Sequence, residues 1–146
     1  NVFPKLLQSV KNKDCSIAVG SRLLKSSNVI GRSIKRAFIS RCYSFLFRSM
    51  FLVSFKDAQC GFKVVSRDVV DQLLPHVEDT GWFFDTELLI LAEKTNYLVE
   101  EFPVRWEDDP SSSVKIISTA WKDIKGLVRM RFGGLDSVKS RLRKSD

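Results

Sequence analysis

The chain has 146 residues, 44% of them hydrophobic and 28% charged, with a net charge of +7. That suffices for one domain with a modest core, and no apolar run reaches the roughly 18 residues that a membrane-spanning helix needs. Cys15, Cys42 and Cys60 are odd in number and lack C-x-x-C spacing, which argues against a disulfide framework or a zinc site and for a reducing compartment.

The charge is segregated. Residues 1–55 carry a net +9, residues 56–113 a net −8 and residues 114–146 a net +6. Basic ends of this kind suit phosphate-bearing partners, although solvated basic faces are the commoner outcome.

In chain order, residues 5–10 read as a short helix behind Pro4, and residues 15–19 as a strand that ends at Gly20-Ser21-Arg22. Residues 23–31 read as a loop. Residues 32–53 carry a long helical pattern. At about 100° per residue, Ser40, Arg41, Ser44 and Arg48 share one sector. Phe38, Phe45, Leu46, Phe47 and Met50 cover most of the remainder, while Phe51 and Ser49 break the separation. Such a wide apolar face fits an interfacial helix lying in a lipid headgroup layer. It fits a core helix or a subunit contact as well.

Residues 55–67 set Asp57, Gln59, Lys63 and Arg67 around Gly61. Gly61 is expected to adopt an unusual φ or to allow a close backbone approach. Residues 62–65 read as a strand and Ser66 as the N-cap of a helix over 68–74, which Pro75 stops. The single histidine, His76, follows that stop and receives no role. Trp82-Phe83-Phe84 leads into a helix over 85–94. Asp85 stands where an N-cap belongs and Glu87 in the first turn, so capping alone accounts for both acids. Residues 97–106 read as one strand, with Pro103 marking an edge or bulge. Residues 107–113 form a polar loop, and 114–131 a helix ended by Gly133-Gly134. The basic residues 135–146 read as a frayed helix or tail. Alternating helices and strands indicate an α/β fold with a mainly parallel sheet.

Two segments carry a resemblance: D-A-Q-C-G-F-K from Asp57 to Lys63, and W-F-F-D-T-E-L-L from Trp82 to Leu89. Together with Gly20-Ser21-Arg22, they resemble the family 2 inverting glycosyltransferases, and within them the polyprenyl-phosphate sugar transferases. The dolichyl-phosphate glucose synthases are the nearer branch and the mannose synthases the more distant one. The resemblance implies a GT-A-like fold, with residues 1–132 the C-terminal, acceptor-side part of a catalytic domain and 133–146 a basic tail. The family's nucleotide-binding strands and acidic metal motif do not occur in the chain, so this piece alone is not expected to transfer sugar.

The implied reaction moves a hexose, glucose by branch, from a nucleotide sugar to a dolichyl-type polyprenyl phosphate with inversion. The motif positions imply Asp57 and Asp85 as catalytic residues, and Ser21, Arg22, Arg36, Gln59, Lys63, Trp82 and Glu87 as substrate-binding ones. Mg²⁺ or Mn²⁺ is expected, held by carboxylates outside this chain. The expected setting is the cytoplasmic face of a membrane, the endoplasmic reticulum in particular, with an oligomer possible. Where the family often places a basic residue directly after a loop serine, this chain has Ser112-Ser113 and reaches Lys115 only later. Two alternatives stay open: a family 2 enzyme acting on a soluble saccharide, and a non-catalytic module that binds membrane or phosphate. The acidic middle and the lack of a recognisable motif argue against nucleic acid.

Overall fold

The computed structural model describes residues 2–108 and 116–142. Most of the polar loop, with Ser112 and Ser113, and the end of the basic tail lie outside the described residues. Strands β1 (Ile17–Ser21), β3 (Lys63–Val65) and β4 (Val99–Pro103) form one sheet in the order β3-β1-β4. β4 runs parallel to β1 and β3 antiparallel to it, with Ile17 opposite both Val99 and Val65. The sheet is therefore mixed, where a mainly parallel one was expected.

Central β1 is buried along its whole length, and its side chains alternate between two covered faces. Ala18 joins Leu6 and Cys15 under helix α1 (Phe3–Lys11). Ile17 and Val19 face the larger core, built on helices α2 (Ile34–Phe51), α3 (Arg67–Gln72) and α4 (Phe84–Lys94). α4 is buried continuously from Thr86 to Ala92. Ser66 caps α3 as expected, accepting from the Val69 N–H at 3.4 Å.

Other expectations fail as well. The loop 23–31 contains a strand, β2 (Asn28–Ile30), paired in parallel with β5 (Arg105–Glu107). Strand 97–106 is two strands, broken after Pro103. Proline has no N–H for a continuing ladder, and Val104, between the strands, is buried. Gly61 needs neither freedom assigned to it: its φ is not positive, and a Cβ there would meet nothing within 4 Å.

Helix α5 (Ile116–Arg129) runs through a turn over Met130–Gly134 into α6 (Leu135–Leu142). The glycines thus bend the helix, and the described part of the tail beyond them is the helix α6, with Val138 buried in the main core. α5 lies against Phe83 at Gly126, where a Cβ would stand 2.4–2.7 Å from ring atoms. Gly126→Ala is therefore expected to destabilise the chain by about 1–3 kcal/mol through overpacking, in spite of alanine's higher helix propensity. Urea unfolding checks this, and a stabilised variant would show that α5 is not seated on Phe83.

Candidate functional site

β1 ends at Ser21, and the next residue, Arg22, turns into a cleft of about 490 Å³. The cleft is walled by the first half of α2, β5 with Asp108 after it, the start of α4 and one face of α5. Ligand crevices form at such strand ends in open α/β sheets.

One wall is cationic, with Arg22, Arg32 and Arg36. The buried Asp57 carboxylate holds Arg22 by a fork of two bonds, Nε to Oδ2 at 2.7 Å and Nη2 to Oδ1 at 2.8 Å. The Arg22 backbone N–H adds a third at 2.9 Å. The Arg22 guanidinium also stands 5.3 Å from the Trp106 ring centre, in cation–π range. Burial alone would lower the Arg22 pKa, but the Asp57 carboxylate outweighs it and raises it. Arg32 donates to Ser40 Oγ at 2.5 Å. Its pKa is lowered, by burial first and then by the charge of Arg22. Arg36 lies 3.8 Å from Asp108, which accepts from Trp106 Nε1 at 2.8 Å.

The other side carries Gln59, Trp82, Asp85, Tyr43 and Asp123. Lys63 reaches Asp85 at 2.5 Å, so a side chain of the first motif sets a side chain of the second. Asp85 lies inside α4 instead of capping it, because the cap position falls to Phe83, which has no side-chain cap. Gln59 Nε2 donates to Asp123 Oδ2 at 2.6 Å. Burial pushes the Asp123 carboxyl up to about 6, against the lowering effect of the Gln59 bond and with a further rise from Asp79. The half-buried Tyr43 hydroxyl, its pKa raised by desolvation, donates to Thr86 Oγ1 at 3.0 Å.

Five of the expected site residues, Arg22, Arg36, Gln59, Trp82 and Asp85, line this cleft. Four others do not. Asp57 lies beneath Arg22 with both oxygens engaged. Lys63 touches the cleft only through Asp85. Ser21 is fully buried below its rim. Glu87 points into the fold, where it accepts from the Asp79 backbone and from Arg129 at 2.6 Å.

Sequence reading missed Arg32, Tyr43, Trp106, Asp108 and Asp123. Asp123 carried one usable signal, an acid among the apolar positions of an amphipathic helix. Among the described residues, no three His, Cys, Asp or Glu side chains are grouped to hold a metal ion.

No family model matches the chain. Glycosyltransferase AglD of Haloferax volcanii is 37% identical over 123 residues, which cover 84% of this chain and 19% of AglD. The dolichyl-phosphate beta-glucosyltransferase of Saccharomyces cerevisiae is 32% identical over 132 residues, covering 86% of this chain and 38% of the yeast protein. The chain is a homologue of the dolichyl-phosphate beta-glucosyltransferases. The enzyme of that name from Dictyostelium discoideum is 30% identical over 134 residues, 90% of this chain and 41% of its own length. The chain thus spans from about a fifth to about two-fifths of these curated relatives. The similarity to the dolichyl-phosphate beta-glucosyltransferases extends across nearly all of the elements that build the cleft.

Proposed function

We propose that this chain forms the acceptor side of an inverting, GT-A-like glycosyltransferase that moves glucose from a nucleotide sugar to a dolichyl-type polyprenyl phosphate. The observation that carries the reading is the wall of three arginines at the end of β1 and the start of α2. A phosphate monoester, with a second pKa near 6, is largely dianionic at neutral pH and is a nucleophile without a strong base. Its oxygen forms the new bond to the anomeric carbon, while the bond from that carbon to the donor's diphosphate breaks and the nucleoside diphosphate leaves. Two anionic substrates must approach for this, and fixed guanidinium groups offset their repulsion. Asp57 then serves by positioning Arg22, and Asp85, held by Lys63, faces the reacting groups. In the full-length protein, Arg32→Gln should raise the KM for the lipid phosphate more than that for the nucleotide sugar. The opposite split would place the donor phosphates, not the acceptor, on this wall.

The outer face of α2 supplies the route for a lipid acceptor. Phe38 is 67% exposed, Phe45 75% and Leu46 36%, beside exposed Arg41 and Arg48. Among the described residues, no helix is long and apolar enough to cross a membrane. α2 therefore lies along the bilayer surface, on the cytoplasmic face of the endoplasmic reticulum in this reading. Each large apolar side chain contributes roughly 1.5–3 kcal/mol if fully buried, and basic residues near an anionic leaflet add about 1 kcal/mol each. Replacing Phe38, Phe45 and Leu46 together with Ser should release the protein from anionic liposomes in a sedimentation assay. Because these side chains are exposed, thermal stability should hardly change. Unchanged sedimentation would remove α2 from the membrane contact.

A further inference from the structure

Two buried polar atoms of the cleft have no hydrogen-bond partner among the described residues, Arg32 Nε and Asp123 Oδ1. They are opposite in kind. Nε is a cationic donor that calls for an acceptor, and Oδ1 is a carboxylate acceptor that calls for a donor. Buried polar groups are rarely left unpaired, because each unmade bond is costly. Asp123 is 3% exposed, and its other oxygen is already taken by Gln59. The residue therefore points one fixed, unshared oxygen into the cleft.

A ligand that satisfies both atoms has a phosphate at one end and a hydroxyl donor at the other. We infer that Asp123, set by Gln59, accepts a hydrogen bond from a hydroxyl of the transferred sugar while the arginine wall holds the phosphate, so that the cleft takes a glycosyl phosphate. This inference rests on the phosphate-binding reading of the arginine wall and adds a sugar-reading residue to it. Burial also raises the Asp123 pKa, so the ionised form is held at a cost that a hydroxyl donor would relieve.

The test is calorimetric titration of the chain with inorganic phosphate, glucose 1-phosphate and its monodeoxy analogues. Glucose 1-phosphate should bind at least about tenfold more tightly than phosphate, the discrimination expected where a buried group pairs with a substrate hydroxyl. Asp123→Asn should abolish that advantage and leave phosphate affinity within about twofold. One deoxy analogue should lose the same advantage on the native chain and lose nothing further on the variant, as a shared bond requires. If phosphate binds and the sugar adds nothing, or if the advantage survives in Asp123→Asn, the assignment of Asp123 is wrong and the arginine wall stands. If neither phosphate nor glucose 1-phosphate binds, the phosphate reading of the cleft fails and Asp123 falls with it.

Discussion

Asp57→Ala should lower the unfolding free energy by about 3–5 kcal/mol, the usual cost of stripping one partner from a buried ion pair. Asp57 is buried and accepts three hydrogen bonds from Arg22, and the variant leaves that guanidinium half-desolvated without a counter-charge. Its backbone N–H is bound in turn by Glu101 at 2.9 Å, so the loop that carries Asp57 stays tied to β4 even when the side chain is gone. The loss should therefore be confined to the pair. Adding Arg22→Met to Asp57→Ala should return much of the stability, since a packed apolar pair can replace a buried salt bridge. Transfer activity of the full-length protein should not return with it. Urea unfolding of the four members of the cycle, with activity measured alongside, separates the two roles. A loss below about 1 kcal/mol for Asp57→Ala would mean that the pair behaves as a surface ion pair and that Arg22 is not held as described.

Asp123→Asn should act in the opposite direction on stability. The Asp123 carboxyl is raised from 3.8 to about 6 in the folded chain, so the folded state binds its proton more tightly than the unfolded one. Below about pH 4 the group is protonated in both states and imposes no penalty. Between about pH 4 and pH 6 the unfolded chain ionises first and stability falls; above about pH 6 the full penalty is in place. A shift of this size corresponds to about 1–3 kcal/mol. Asparagine keeps the shape without the charge. The variant should therefore exceed the parent in unfolding free energy at pH 7.5, with the difference vanishing near pH 4. Gln59, Tyr43 and Asp79 are the polar groups that influence the site, and subtracting the variant's pH profile isolates Asp123 from other titrations. A variant less stable at pH 7.5 than its parent would show that the buried carboxylate is stabilised by its surroundings. A gain in stability from removing a functional group is the usual sign of a site held under strain for binding.

The elements legible in the sequence were those with strong local signals. The Ser66 cap, the β1 strand and the α2 span all agree with the structure to within a few residues. β2 was not legible, because three residues, Asn28 and Ile30 exposed and Val29 half-buried, are too short a run to show a period and are held mainly by pairing with a distant strand. Which side of α2 faces the core was also hidden. Both sides are apolar, and the choice is made by the fit of Phe47 against Phe55, with ring centres 5.1 Å apart. Ser44, assigned to the polar sector, is buried for the same reason. Among the site residues, motif membership placed Gln59, Trp82 and Asp85 in the cleft but could not say that Asp57 and Glu87 face elsewhere. Arg32 and Asp123 stand far apart in sequence, and only the packing of α5 against Phe83 and α4 brings them to one cavity.

The pairing of β1 with β3 and β4 has a consequence for how the chain comes to be made. Ile17, Ala18 and Val19 find their antiparallel partners only at Lys63–Val65, and the parallel partner waits until Val99. On a ribosome, this central strand emerges well before either partner strand and waits for both. Long-range parallel pairing is slow because loop closure must precede any stabilising contact. A strand buried along its whole length in the fold is thus left uncovered for a time during synthesis, when it presents a short apolar stretch to chaperones and to neighbouring nascent chains.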